Sequence, residues 1–263
     1  KEKMCCEPNE KSGFDRNLWI WQEKQPGEPY LLSADVARGD GKDFSVCHVV
    51  KLNSMEVVAE YQGKCTPDIF SRVLYDLGME YDSGLLVVEN NSVGYTVLDK
   101  LKEMRYPNLY HSVKSTHEFV EEYQADQMSN AVVGFSTTSK TRPLIVAKLE
   151  EFIRNDIIKI YSSRLLSEMR TFVWNNGKAE AMRSYNDDLI MSCAVACWVR
   201  DTALTVNQRD AEYAKAFIGS ITKSSNELDT RISGMIGVSK LKLQEKANRD
   251  QEIYNNFPWL LKG

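Results

Sequence analysis

Leu31-Leu32-Ser33-Ala34-Asp35-Val36-Ala37 is the stretch of sequence that decides the fold. It is a short apolar run with a single acid near its end, and it stops at the turn-forming sequence Arg-Gly-Asp-Gly of residues 38–41, as a strand that leads into a turn would. Two runs rich in β-branched residues follow, at 44–52 and 56–61. Residues 31–63 therefore predict three antiparallel strands in a meander.

The rest of the pattern alternates helices with strands. The run Leu85 to Val88 is continuously apolar, which is typical of a central parallel strand covered on both sides, and Glu89 ends it. The order of elements predicts an α/β fold, a ribonuclease-H-like mixed β-sheet flanked by helices. Helices are predicted at 67–81, 93–104, 141–155, 165–172 and 189–199, strands at 108–113 and 157–161, a mobile loop or small hairpin at 114–139, and a polar connection or short strand at 178–183.

Three segments are predicted along the chain. Residues 1–29 form a leader with one aromatic cluster, residues 30–204 form the ribonuclease-H-like domain, and residues 205–263 form a polar, partly helical tail that docks on a partner. The chain begins at Lys1 rather than at a methionine, so we expect it to be part of something longer.

Composition excludes several classes of protein. The 263 residues are 43% hydrophobic and 27% charged, and neither a signal core nor an apolar run of membrane-spanning length occurs. The net charge of −4 argues against a uniformly basic nucleic-acid binder, yet an enzyme that gathers carboxylates around cations can be acidic. The cysteines lack the spacing of a disulfide framework, and we interpret Cys193 and Cys197 as buried thiols rather than metal ligands.

Acids stand at the ends of three of these elements: Asp35 in the first strand, Glu89 after the fourth, and Asp187 and Asp188 where a buried helix begins. If the first and fourth strands are parallel neighbours, these side chains meet at one edge of the sheet. Hard divalent cations prefer carboxylate oxygens, and two such ions can activate a water and stabilise a leaving oxygen in phosphodiester hydrolysis. The alternative for each acid is a cap or turn contact, which applies most directly at a helix N-terminus.

Three motifs carry a family resemblance: Ala34-Asp35-Val36-Ala37-Arg38-Gly39 with Asp43 downstream, Val88-Glu89-Asn90-Asn91-Ser92-Val93-Gly94, and Tyr185-Asn186-Asp187-Asp188-Leu189-Ile190-Met191-Ser192. Over about residues 15–203 the chain resembles the C-terminal nuclease domain of the large terminase subunit of tailed, T4-like bacteriophages. The resemblance implies an endonuclease in which Asp35, Glu89 and Asp188 hold two Mg²⁺ or Mn²⁺ ions and concatemeric double-stranded DNA is cut with little sequence specificity.

The resemblance also implies details of the site and its partners. Asp188 is favoured over Asp187 as the third ligand, with Asp187 as a secondary ligand or a cap, and Asp43 either joins the site or closes a turn. Many family members have histidine where this chain has Asn186, and asparagine cannot serve as a general acid or base. Expected partners are the N-terminal ATPase domain of the same polypeptide, the portal protein and the small terminase subunit, in the host cytoplasm.

Basic residues beside an acidic site would hold the DNA backbone, and the candidates are Arg38, Lys42, Lys114, Lys140 and Arg142, each with an ordinary solvated charge as the alternative. Two other functions fit the same sequence. One is a ribonuclease-H-like resolvase or integrase, which would prefer branched or transposon-end DNA. The other is a non-catalytic module that docks on portal or capsid partners.

Overall fold

A computed structural model describes residues 5–91, 93–113, 119–120, 125, 130–175 and 178–201. Two predictions from the sequence therefore lie outside the described residues: Lys114 as a DNA contact and the tail at 205–263. Half of the loop predicted at 114–139 lies outside them as well.

The main sheet has six strands in the order β1-β2-β5-β4-β3-β6. Strands β3, β4 and β5 are the predicted antiparallel meander, and β3 pairs with β6 in parallel, so the predicted mixed sheet is confirmed. The strands are β1 (Glu10–Ser12), β2 (Leu18–Ile20), β3 (Tyr30–Asp35), β4 (Ser45–Lys51), β5 (Glu56–Gly63) and β6 (Leu85–Val88).

Helices flank this sheet, as predicted. They are α1 (Pro67–Glu80), α2 (Gly94–Glu103), α3 (Thr141–Arg154), α4 (Ser163–Arg170) and α5, which covers the helical residues 188–201. Among the described residues, none of the helices is both long and apolar enough to cross a membrane.

The two faces of β3 meet different helices because neighbouring side chains on a strand point in opposite directions. Leu32 and Ala34 belong to the apolar cluster that includes α1 and α2. Ser33 lies on the other face, where its hydroxyl donates to the carbonyl of Ser192 in α5 at 2.8 Å. By the same alternation Asp35 lies on the α5 face, which is what brings this acid toward the start of α5.

Two smaller sheets complete the described structure. Strands β7 (His111–Val113), β8 (Phe119–Val120) and β9 (Ala131–Val133) form one of them. Strands β10 (Phe172–Asn175) and β11 (Lys178–Ala181) form a hairpin, which gives the short strand that the sequence left open at 178–183.

Residues 157–161, predicted as a strand, do not form one. They make a single parallel bridge, between Lys159 and Glu56, with the Lys159 amide donating to Met55 at 2.8 Å. The neighbouring edge of β5 is already used, because the amide of Trp21 donates to the carbonyl of Val58 at 2.8 Å. The apolar side chains at 158 and 160 are buried without a continuous ladder.

The segment 1–29, predicted as a leader ahead of the fold, contributes two strands to the main sheet. Strand β2 pairs antiparallel with β5, and Ile20 lies in the main apolar cluster with only 7% of its surface exposed. The sequence did not predict these two strands because each has only three residues, too few for a recognisable alternation of apolar and polar side chains.

We expect Ile20→Ala to lower the free energy of unfolding by about 2–5 kcal/mol, because it removes a buried side chain from the core. The matched control is Phe14→Ala, since Phe14 is 84% exposed and its loss should change stability by less than about 0.5 kcal/mol. Urea denaturation of both variants measures the difference. Equal, small effects would mean that the N-terminal strands contribute nothing to the fold.

Candidate active site

Asp35 and Glu89 meet at the ends of two parallel strands. Ala34 pairs with Val88 across β3 and β6, and the Glu89 amide donates to the Ala34 carbonyl at 3.0 Å, so the two acids follow directly in register. Their side chains are hydrogen-bonded to each other. Burial, first, and the nearby charge of Glu89, second, raise the pKa of Asp35 well above its usual value.

A close approach of backbone holds Glu89 in place. The Glu89 carbonyl lies against Gly94 at the start of α2, and a side-chain carbon on Gly94 would come within 1.8 Å of that oxygen. The Asn91 side chain accepts from the amides of Val93 and Gly94 at 3.2 and 2.8 Å. The motif residues Asn91 and Gly94 therefore shape the tight turn that follows Glu89.

Asp188, the first helical residue of α5, is the third acid. Its Oδ2 accepts from the Phe44 amide at 2.8 Å and from the Asn186 side chain at 3.1 Å. Burial raises its pKa to about 6; these two donors lower the pKa, and the charges of Asp43 and Asp187 raise it. The charge of Asp188 also raises the pKa of Asp35, so the three acids interact electrostatically.

Asp187 points to different partners. Its Oδ2 pairs with the guanidinium of Arg142 and accepts from the Ala181 amide at 3.4 Å. The Arg142 Nε also donates to the Ala179 carbonyl at 3.1 Å. Arg142, which the sequence suggested as a DNA contact, is thus already engaged by Asp187 and by the β10–β11 hairpin.

Asn186 has a structural role that the sequence did not predict. Its side-chain amide donates to the carbonyl of Lys42 as well as to Asp188, in both cases at 3.1 Å. It therefore joins the turn between β3 and β4 to the start of α5. Asp43 lies in that turn, exposed, and close enough to influence Asp188.

Glu168 of α4 is a further acid that sequence analysis missed. Its Oε2 accepts from the amides of Leu189 and Ile190 at 2.9 and 3.3 Å, and its Oε1 accepts from Gln62 at 3.4 Å. Burial raises its pKa to about 8, against the effect of the two amides, and the charge of Asp188 adds to the rise. Nothing in the spacing of Glu168 marks it, because its partners are distant in sequence.

A polar network with a buried centre at His48, Glu60 and Ser192 lies one helical turn behind Asp188. His48 contacts the Ser192 hydroxyl at 3.0 Å through one ring nitrogen and Glu60 at 3.2 Å through the other. Arg164 of α4 donates to the same carboxylate at 2.7 Å. Burial raises the pKa of Glu60, but the hydrogen bond from His48 and the charges of His48 and Arg164 outweigh it and the pKa is lowered.

These carboxylates offer the oxygen ligands that divalent cations prefer, but their spacing is not that of ligands around one ion. No three Asp, Glu, His or Cys side chains of the described residues surround a common point as ligands of one ion would. Asp35 is instead bonded to Glu89, and Asp188 to two N–H donors. Short rotations of the carboxylates would change this spacing, whereas buried acids at one edge need compensating positive charge, so the donor set fits divalent cations.

Arg38 and Lys42 of the predicted DNA contacts lie in the turn between β3 and β4, and Lys140 directly precedes α3. Arg38, Lys42 and Lys140 are exposed, and none of them forms an ion pair with another described residue. A pocket of about 280 Å³ opens between the turn after β3 and the loop after β6. Its lining includes Arg38, Asp40, Gly41, Asp43 and Asn91.

Comparison with known proteins supports the fold. No protein-family model matches the chain. The large terminase nuclease from thermophilic phage G20c with bound magnesium is 17% identical, with a TM-score of 0.56 over 74% of this chain and 93% of that one. The Thermus phage P74-26 large terminase nuclease domain is 17% identical, with a TM-score of 0.54 over 74% and 90%. The G20c nuclease with bound cobalt gives 16% and 0.56 over 74% and 93%. At this identity the likeness confirms the ribonuclease-H-like α/β fold.

We expect Gly94→Ala to lower the free energy of unfolding by about 1–3 kcal/mol, because the added carbon meets the Glu89 carbonyl and the turn must move. Gly41→Ala is the matched control, since a side chain there meets nothing within 4 Å. Thermal unfolding of both variants tests this. A Gly94→Ala variant as stable as Gly41→Ala would show that the turn yields without cost.

Stability of the metal-free protein should fall as the pH rises from about 5 to about 8. The pKa of Asp35, of Asp188 (about 6) and of Glu168 (about 8) is raised in the folded state, so the native protein retains protons that the unfolded chain has released. The opposite contribution of Glu56, whose pKa is lowered to about 2, is already complete above its ordinary value of 4.5.

Thermal unfolding with a chelator, repeated with Mn²⁺, measures this dependence. Mn²⁺ should raise the Tm more at the alkaline end, since ions bind the ionised carboxylates. A metal-free Tm that rises over this range would contradict the assignment.

Proposed function

We propose that this chain is the metal-dependent endonuclease domain of the large terminase subunit of a tailed, T4-like phage. It cleaves concatemeric double-stranded DNA during virion assembly, with little sequence preference, and uses two Mg²⁺ or Mn²⁺ ions. One observation carries the proposal: the acids of three separate motifs, Asp35, Glu89 and Asp188, are brought to one edge of a ribonuclease-H-like sheet and interact there.

Each acid has a role that follows from its surroundings. Asp35, Glu89 and Asp188 would hold the metal ions, which when bound supply an activated water and stabilisation of the leaving oxygen. Asp43 lies at the rim near Asp188 and would assist as a further carboxylate. Asp187 is neutralised by Arg142 and contributes through its position. Asn186 orients Asp188 and the turn at Lys42 by donating hydrogen bonds, so it moves no proton.

Phosphate contacts would come from Arg38, Lys42, Lys114 and Lys140, whereas Arg142 serves the Asp187 ion pair in the free protein. Contacts to the backbone position DNA without reading its sequence, which accords with a packaging nuclease that cuts at many places. In the assembled motor this domain would follow an ATPase domain of the same polypeptide and work with the portal protein and the small terminase subunit, in the host cytoplasm.

Substitutions at the two adjacent acids, Asp187 and Asp188, test which of them is a metal ligand and which has a structural role. We expect Asp188→Asn to abolish Mg²⁺- or Mn²⁺-dependent cleavage of plasmid DNA, because an amide brings no charge to share with a cation. Asp187→Asn should retain part of the activity, because an amide oxygen still accepts from Arg142 and from the Ala181 amide. Initial rates over a Mn²⁺ titration make the comparison.

Circular dichroism of both variants controls for folding. An inactive Asp187→Asn with an active Asp188→Asn would reverse the two assignments. Wild-type protein that cuts four-way junctions in preference to linear duplex would favour a resolvase, and wild-type protein that binds DNA without cutting it in either metal would favour a docking module.

A further inference from the structure

The start of α5 poses a problem of hydrogen bonding. The first amides of a helix have no partner within it, and the side chain of the residue just before the first turn usually accepts from them. In α5 that residue is Asp187, since the Met191 amide donates to the Asp187 carbonyl at 2.9 Å. The Asp187 carboxylate does not accept from the helix, because it is paired with Arg142 and the Ala181 amide.

The free amides are satisfied from another helix. Glu168 of α4 accepts with one carboxylate oxygen from both Leu189 and Ile190, at 2.9 and 3.3 Å. These are the amides that a helix-capping side chain ordinarily bonds. Gln62 donates to the other oxygen at 3.4 Å and orients the carboxyl group.

We propose that Glu168 is a positioning residue of the nuclease: it caps α5 from the neighbouring helix, so that the carboxylate of Asp188, which accepts from Phe44 and Asn186, is not drawn to the helix amides and stays at the edge that carries Asp35 and Glu89. This inference rests on the proposed function for its consequence in catalysis, whereas the capping itself stands on hydrogen bonds. Without Glu168, the carboxylates of Asp187 and Asp188 are the nearest acceptors in sequence for the two amides. An Asp188 that turned to them would leave the metal-binding edge.

Helix α4 is anchored well enough to act as such a support. Arg164, four residues before Glu168 and hence on the same side of α4, donates to the side chain and the carbonyl of Glu60 at 2.7 and 3.1 Å. Glu60 contacts His48, and His48 contacts Ser192 of α5.

A closed ring of polar contacts therefore runs from α4 through β5 and β4 to α5, and returns through Glu168 to α4. Ser192 is itself bonded twice to Ser33 of β3, at 2.7 and 2.8 Å. The ring fixes α5 against the strand that carries Asp35, one turn away from Asp188.

Two substitutions at Glu168 separate capping from other roles. Glu168→Gln retains an oxygen that accepts from the amides, while Glu168→Met retains the approximate size and removes the acceptor. Ser167→Ala, at an exposed position of the same helix, is the matched control. In the Met variant we expect hydrogen exchange at the Leu189 and Ile190 amides to accelerate, and the Mn²⁺ concentration for half-maximal cleavage to rise about 10–100-fold. The Gln variant and the control should behave as wild type.

Mn²⁺ binding in the absence of DNA, followed by calorimetry, should weaken in the Met variant by the same factor as the cleavage dependence. Unchanged amide exchange and unchanged Mn²⁺ affinity in Glu168→Met would overturn the proposal. Equal loss in the Gln and Met variants would also overturn it, because the charge of Glu168 would then matter and the residue would be a ligand. If the wild-type protein does not cleave DNA, the proposed function fails, and amide exchange still decides whether Glu168 caps α5.

Discussion

Parallel pairing of β3 with β6 places Asp35 beside Glu89. The arrangement of the rest of the site depends on the negative charge of these two adjacent carboxylates. Two neighbouring parallel strands end at the same edge, so acids at their ends cannot move apart without breaking the register. The sheet also directs Asp35 to the face on which α5 packs. The third acid, Asp188, thus approaches a pair that already shares a hydrogen bond.

The protein handles the excess negative charge differently at each acid. Asp187 is neutralised by Arg142, and Glu60 by Arg164 with a further hydrogen-bond contact to His48, so these carboxylates hold neighbouring elements together. Asp35 and Asp188 receive no such cation among the described residues and are stabilised by hydrogen bonds alone. Their raised pKa values express this difference, because burial without a positive partner disfavours the ionised carboxylate. A bound cation would supply the positive charge that the described residues do not provide at these positions.

Some of the elements around the site hold α5 in place, and others leave the acids accessible from solvent. Helix α4 and the ring of polar contacts through His48 support α5 on the side away from solvent. There His48, Glu60 and Ser192 are each at most 1% exposed. The turn between β3 and β4 lies on the open side, where Arg38 and Lys42 are exposed beside a pocket. Asn186 links the two regions by bonding both the turn and Asp188. The site thus has a buried support on one side and, on the other, an accessible rim that carries both basic and acidic side chains.

The sequence by itself determined the elements whose pattern is local: the meander of β3 to β5, the parallel strand β6, the flanking helices and the acids at their ends. Side-chain periodicity and turn residues act within a few positions, so they can be recognised without knowing what packs against them. Only the tertiary structure decided that residues 10–20 join the sheet, that residues 157–161 do not, that Arg142 pairs with Asp187, and that Glu168 caps α5. These outcomes depend on which strand edges, amides and charges remain available once the chain has folded, and partners such as Glu168 and Leu189, 21 residues apart, have no local pattern that connects them.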